Sequence, residues 1–184
     1  MKKLKLMNDV LTIPNILSVF RICLIPLIVW FYNNDYNFYA VCVLVLSGLT
    51  DIVDGFIARH FNMISDVGKI LDPVADKLTQ AVTLFCLMAK FPYMILIFVI
   101  LFVKEISLSI VGIFVIRKTK TVKGANWHGK VTTFLLYFTM IVHILWYNIN
   151  LVVSNLLISV CIAFMMLSFI MYLIRHFEQL KEEN

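Results

Sequence analysis

Four aspartates within 26 residues are the side chains of this sequence best suited to chemistry: Asp51, Asp54, Asp72 and Asp76. The sequence around them is largely apolar, and an ionisable group at membrane depth is costly, so such residues usually mark a functional site. Four neighbouring carboxylates also repel one another, and hard divalent cations bound by their oxygens would remove that repulsion. The cluster therefore predicts a metal-dependent enzyme that acts on phosphates at a membrane surface.

The spacing of the aspartates predicts two helical stripes. Residues three or four positions apart share a helix face, so Asp51 and Asp54 belong to one stripe, and Asp72 and Asp76 belong to another. Only a short polar connection separates the two segments. We therefore expect antiparallel neighbouring helices whose acidic stripes face one cavity.

Small residues and one arginine accompany the carboxylates. Three small residues lie on the same helix faces as the aspartates, namely Gly55, Ala58 and Gly68. Their small size would let a ligand approach the backbone and the metal closely. Arg59 adds a planar donor fork suited to phosphate oxygens. The alternative is that the acids form interhelical salt bridges with Arg59, Lys69 or Lys77. We favour the metal site, because these cations are too few and ion pairing would not require glycines on the acidic faces.

The same residues resemble the signature of the class I CDP-alcohol phosphatidyltransferase family. The signature has eight fixed positions, and the chain matches all of them between Asp51 and Asp76. The likeness extends to the segment Thr12-Ile13-Pro14-Asn15 and to Arg21. These residues look like the start of the first helix in the phosphatidylglycerophosphate synthase and cardiolipin synthase branches. The resemblance is clear from about residue 12 to residue 131.

The resemblance implies transfer of a phosphatidyl group from CDP-diacylglycerol to an alcohol, with release of CMP. It also implies two divalent cations, Mg²⁺ or Mn²⁺, with Asp51, Asp54 and Asp72 as shared ligands. Asp76 would complete the second metal site, and it is the catalytic candidate for taking the proton of the acceptor hydroxyl. The residues implied in binding the CDP group are Asp51, Gly55, Ala58, Arg59 and Gly68. Two cations about 3.5–4 Å apart can stabilise the charge that such a displacement develops.

The acceptor alcohol is less well marked in the sequence. The candidate acceptor-binding residues are Lys104, Arg117, Lys118 and Lys130. The alternatives are that Lys104 pairs with Glu105 or a motif aspartate, and that the basic run from Arg117 faces solvent and lipid headgroups.

Two positions bear on the choice of acceptor. Relatives that use glycerol 3-phosphate typically carry an arginine and a lysine where this chain has Gly112 and Thr132. Both differences remove positive charge where an acceptor phosphate would bind. We nevertheless expect glycerol 3-phosphate first, because it is the commoner acceptor of short chains of this type. Phosphatidylglycerol, the acceptor of cardiolipin synthases, is the second candidate.

The elements that must position these residues are membrane helices. Of the 184 residues, 61% are hydrophobic and 15% are charged, whereas a soluble domain carries about 25% charged residues. We predict an all-α integral membrane protein with six transmembrane helices and a short N-terminal interfacial helix, forming a single domain over residues 1–184. The spans, each near the ~20 residues that cross a bilayer, are predicted at about 14–32, 37–59, 70–89, 93–116, 130–147 and 151–174.

The distribution of basic residues predicts the orientation in the cell membrane. Basic residues gather at alternate segment ends, namely Lys2, Lys3 and Lys5, then Arg59 and Lys69, then Arg117, Lys118, Lys120, Lys123 and Lys130, then Arg175 and Lys181. The opposite ends hold only Lys90, so both termini and the aspartate site are predicted to be cytoplasmic. The net charge of +5 then faces anionic lipids, and no soluble domain exists to present it to nucleic acid.

Two further expectations concern assembly and function class. The resemblance implies a homodimer formed through membrane helices. The remote alternative to an enzyme is a cation transporter that uses the acids as an ion path. Transporters often repeat such segments in both halves of the chain, whereas here all four aspartates lie in one helical hairpin.

Overall fold

The computed structural model describes residues 12–61, 65, 67–119 and 127–181. These residues form six helices and contain no strand. The helices are α1 (Ile13–Asn33), α2 (Asn37–His60), α3 (Gly68–Met88), α4 (Met94–Thr119), α5 (Trp127–Leu145) and α6 (Leu151–Lys181). The predicted all-α class is confirmed, and the predicted interfacial helix at the N-terminus lies outside the described residues.

All helices except α3 are long and apolar enough to cross a bilayer. Helix α3 has 21 residues, which is sufficient length, but Asp72, Asp76 and Lys77 make it more polar than the others. The outer surface is apolar, since side chains such as Phe85 and Val152 are 70% and 74% exposed. Apolar exposure on this scale is unusual in a soluble monomer and fits a surface that faces lipid.

The chain divides into two compact units, one ending at Cys86 and the other beginning at Leu87. In the first unit α1 packs against α2. The two helices are joined by a tight turn in which Asp35 adopts a left-handed φ of 60°, a conformation that aspartate tolerates better than most residues. Helix α1 begins after Thr12 with Pro14 in its first turn, where the missing N–H of proline costs nothing.

In the second unit both α4 and α5 pack against α6. Two buried histidines lie at the interface between α5 and α6. His143 Nδ1 donates to Thr139 O at 2.7 Å, and Ser154 Oγ donates to His143 Nε2 at 3.0 Å. His128 Nδ1 lies 3.1 Å from Ser168 Oγ. Hydrogen bonds between helices stabilise packing in lipid, so these contacts give both histidines a packing role.

Candidate active site

Three of the four aspartates converge in the first unit. Asp51 and Asp54 on α2 and Asp72 on α3 each offer a carboxylate oxygen, and these oxygens lie within 4.8 Å of one another. The predicted meeting of the two acidic stripes is therefore confirmed for these residues. Asp54 is 2% exposed, whereas the side chains of Asp51 and Asp72 are 40% and 43% exposed. The cluster thus has a buried side and an open side.

The buried side of the cluster is occupied by Arg21 from α1. Its Nη1 donates to Asp51 Oδ1 at 2.6 Å, and its Nη2 donates to Asp54 Oδ2. Asp72 Oδ1 lies 3.2 Å from the same Nη1. The side chain of Arg21 is completely buried, and a buried charge is tolerated only when it is paired.

Sequence reasoning missed this role of Arg21, which entered only as part of a resemblance at the start of the first helix. The signal was present, because Arg21 is an ionisable residue in the middle of an apolar span, and such residues face a partner or a site. What the sequence could not supply was the identity of the partner. The salt-bridge alternative had considered only Arg59, Lys69 and Lys77.

The donor set fits a divalent cation. Carboxylate oxygens are the ligands that Mg²⁺ and Mn²⁺ prefer, and three of them converge here. Asp72 Oδ1 is buried and, despite its ion-pair distance to Arg21, accepts no hydrogen bond of suitable geometry from any described residue. The Asp72 carboxylate is thus less completely paired than those of Asp51 and Asp54, and a bound cation would add to its stabilisation.

Asp76, the fourth aspartate, lies one helical turn beyond Asp72 on α3 and outside the convergent group. Both of its carboxylate oxygens accept hydrogen bonds from Gln80 Nε2 at 2.9 Å. Lys77 Nζ lies 3.7 Å from one of them. Because Asp76 and Lys77 are neighbours on α3, this contact is not one of the interhelical salt bridges of the alternative. The side chains of Arg59 and Lys69 lie outside the described part of the chain.

Gly68, one of the residues implied in CDP binding, begins α3 at a close contact with α1. Its N–H donates to Ser65 Oγ at 2.9 Å, and Ser65 Oγ donates to Asn15 Oδ1 at 3.1 Å. A Cβ atom at Gly68 would collide with Asn15 Oδ1 and would lie 2.9 Å from Ser65 Oγ. The glycine therefore has a packing role, in addition to the predicted contact with CDP. Gly55 and Ala58 are half-buried on α2.

The candidate acceptor-binding residues belong to the second unit. Lys104 is 8% exposed, and its Nζ lies 3.4 Å from a carboxylate oxygen of Glu105, which is the pairing that the sequence offered as the alternative. Lys130 is exposed on α5. The side chains of Arg117 and Lys118 lie outside the described part of the chain. A role of these residues toward the acceptor stays a prediction.

Comparison with known proteins identifies the family. The sequence model of CDP-alcohol phosphatidyltransferases matches residues 11–177. The chain is 34% identical to a CDP-diacylglycerol–glycerol-3-phosphate 3-phosphatidyltransferase of Aquifex aeolicus, over 94% of the chain and all of that protein. It is 35% identical to a CMP-forming cardiolipin synthase of Streptomyces coelicolor, over 71% of the chain and 64% of that protein. A 3-phosphatidyltransferase of Rickettsia bellii is 40% identical over 42% of the chain and 45% of its own length.

The family match spans both compact units and includes all eight signature positions. The proteins of this family are enzymes that in general depend on divalent cations, and the convergent carboxylates fit that requirement. The transporter interpretation is therefore set aside. This multi-pass membrane protein belongs to the CDP-alcohol phosphatidyltransferase family, whose members are phospholipid-synthesising transferases.

Proposed function

We propose that this enzyme transfers the phosphatidyl group of CDP-diacylglycerol to glycerol 3-phosphate, giving phosphatidylglycerophosphate and CMP. The choice of glycerol 3-phosphate as the acceptor rests on the extent of one sequence similarity. The similarity to the Aquifex enzyme, which is named for this reaction, extends over 94% of the chain and so includes the candidate acceptor residues of the second unit. The similarity to the Streptomyces cardiolipin synthase covers 71% of the chain.

In this proposal the first unit binds the donor. Asp51, Asp54 and Asp72 hold divalent cations, Mg²⁺ or Mn²⁺, and Asp76 completes the second site. When bound, the cations neutralise the diphosphate and the charge of the departing CMP. The residues that bind the CDP group are Asp51, Gly55, Ala58, Arg59 and Gly68.

Asp76 is proposed as the general base. Its carboxylate takes the proton of the acceptor hydroxyl while the acceptor oxygen forms a bond to the β-phosphorus. The bond from that phosphorus to the bridging oxygen breaks, and CMP leaves with the electron pair. The hydrogen bonds from Gln80 to both oxygens of Asp76 orient the carboxylate without protonating it.

Phosphatidylglycerol remains the second candidate acceptor because of two positions. Gly112 offers no side chain, and among the described residues, its chain neighbours and the backbone of its own helix apart, no atom lies within 4 Å of where its Cβ would stand. The hydroxyl of Thr132 donates to His128 O at 2.9 Å and to Phe164 O at 3.2 Å. Neither residue supplies the positive charge that typical users of glycerol 3-phosphate carry there.

The experiment gives purified protein CDP-diacylglycerol and Mg²⁺ with one acceptor at a time: glycerol 3-phosphate, phosphatidylglycerol, serine or inositol phosphate. CMP release and lipid products are measured together. We expect phosphatidylglycerophosphate from glycerol 3-phosphate, and no CMP after removal of the metal with EDTA. Formation of cardiolipin without phosphatidylglycerophosphate would replace the first acceptor with the second.

We further propose that both termini and the aspartate site face the cytoplasm and that the protein forms a homodimer in the membrane. The orientation is supported by the basic residues at alternate segment ends. In this orientation the site is open to lipid and to water-soluble substrates on one side of the membrane.

A further inference from the structure

Arg21 is the one described side chain that contacts all three convergent aspartates. It comes from α1, whereas Asp51 and Asp54 come from α2 and Asp72 comes from α3. A guanidinium group has a rigid fork of donors that can serve two carboxylates at once, which a lysine ammonium cannot do with the same geometry. Arg21 therefore ties together the three helices that build the site.

Arg21 contacts a single oxygen of each of the three carboxylates. It uses Asp51 Oδ1 and Asp54 Oδ2 as hydrogen-bond acceptors, and it attracts Asp72 Oδ1 by charge alone, without a hydrogen bond. The other oxygen of each carboxylate is not among these contacts with Arg21. Arg21 is completely buried, whereas Asp51 and Asp72 are partly exposed. The arginine approaches from the interior and leaves the open side to a ligand.

The charges of the cluster do not balance. Three carboxylates and one guanidinium leave two negative charges, so the arginine lowers the mutual repulsion of the carboxylates without cancelling their attraction for cations. A fully compensated cluster would have had no need of a metal. A cluster without the arginine would have held three carboxylates together in a largely apolar surrounding, which is strongly unfavourable.

We propose that Arg21 is a positioning residue, an internal cation that keeps Asp51, Asp54 and Asp72 together by offsetting their mutual repulsion until divalent ions bind. This inference rests on the metal site of the proposed function and adds a residue that the signature does not contain. It predicts that Arg21 and bound Mg²⁺ stabilise the same three carboxylates. Removal of Arg21 should therefore increase the stabilisation that Mg²⁺ gives to the folded protein.

The test measures the Tm of the detergent-solubilised full-length protein in EDTA and in Mg²⁺, for wild type and for Arg21→Gln. We expect the substitution to lower Tm in EDTA by roughly 10 °C. We expect Mg²⁺ to raise the Tm of the variant by more than it raises that of wild type, because cations neutralise carboxylates that have lost their guanidinium. Leu24→Ala, a cavity substitution at a buried position of α1, is the matched control, and it should lower Tm equally in both conditions.

Arg21→Lys tests whether the charge of the arginine is sufficient without its fork of donors. It also replaces Arg21→Gln in the test if the glutamine variant does not fold. It keeps the charge but not the fork, so its Tm in EDTA and its response to Mg²⁺ should lie between those of wild type and Arg21→Gln. A rise in Tm with Mg²⁺ that is equal to or smaller than that of wild type in both Arg21 variants would overturn the proposal. If Mg²⁺ changes the Tm of neither wild type nor the variants, the protein has no metal site at these aspartates. That result would contradict the proposed function and not only the role of Arg21.

Discussion

At the scale of single residues, the four aspartates of the signature have different surroundings. Asp51, Asp54 and Asp72 converge around Arg21, whereas Asp76 is held by Gln80. The hydrogen bonds to Asp76 come from a neutral amide, which competes less with a proton than the buried guanidinium that faces the other three carboxylates. The difference favours a division of labour, in which three aspartates mainly bind metal and Asp76 takes the proton.

This division predicts that Asp76→Asn lowers the maximal rate of CMP release by about 100-fold or more, the usual range for loss of a general base. The Mg²⁺-dependent rise in Tm should fall only in part, because Asp51, Asp54 and Asp72 are unchanged while the second metal site loses the ligand that Asp76 supplies. Asp35→Asn makes the same chemical change in the exposed turn after α1, where asparagine also tolerates a positive φ, and it should leave the rate unchanged. Near-normal turnover of Asp76→Asn with metal bound would remove the general-base role.

At the scale of elements, the start of α3 is fixed by its contact with α1. Gly68→Ala would place a methyl group against Asn15 Oδ1, so we expect a loss of about 1–3 kcal/mol in unfolding free energy, as for other overpacked sites. CMP release should also fall, since α3 carries Asp72 and Asp76. Thermal unfolding and activity of the same preparation measure both effects.

Gly112→Ala is the matched control for this substitution. It changes the same residue type inside a helix, but apart from its chain neighbours and the backbone of the helix itself, no described atom lies within 4 Å of the added Cβ. Alanine is the better helix former by roughly 0.5–1 kcal/mol, so this variant should be as stable as wild type or slightly more stable. An unchanged Tm in Gly68→Ala would show that the contact with Asn15 does not constrain the helix.

The packing of the helices explains why the meeting of three aspartates could be predicted from the sequence and the position of Arg21 could not. The helical spacing of Asp51, Asp54 and Asp72 was sufficient to predict that they meet, because the two stripes lie on consecutive segments joined by a short connection. Arg21 lies 30 residues before Asp51, and nothing local to it specifies which face of α1 turns toward α2. That choice depends on how the two helices pack, and hydrophobicity alone does not determine it when nearly every residue is apolar.

At the scale of the whole molecule, buried positions hold polar as well as apolar residues, while much of the exposed surface is apolar. Arg21, Gln80 and His143 are at most 1% exposed, whereas many phenylalanines and isoleucines face outward. Composition predicted a membrane protein from the high share of hydrophobic residues and the low share of charged ones, and the match of the family over residues 11–177 agrees with it. The acceptor could not be predicted in the same way, because specificity depends on a few side chains of the second unit rather than on an average property.

The orientation of the whole molecule yields the last prediction. If the basic segment ends are cytoplasmic, the turn after α1 faces the outside and the segment after α2 faces the inside. In a cysteine-free background, an impermeant maleimide applied to intact cells should label Asn34→Cys but not Phe61→Cys, and lysis should expose both. Both native residues are exposed, so access in lysed membranes serves as the control. Labelling of Phe61→Cys alone in intact cells would invert the orientation and place the aspartate site on the outer face.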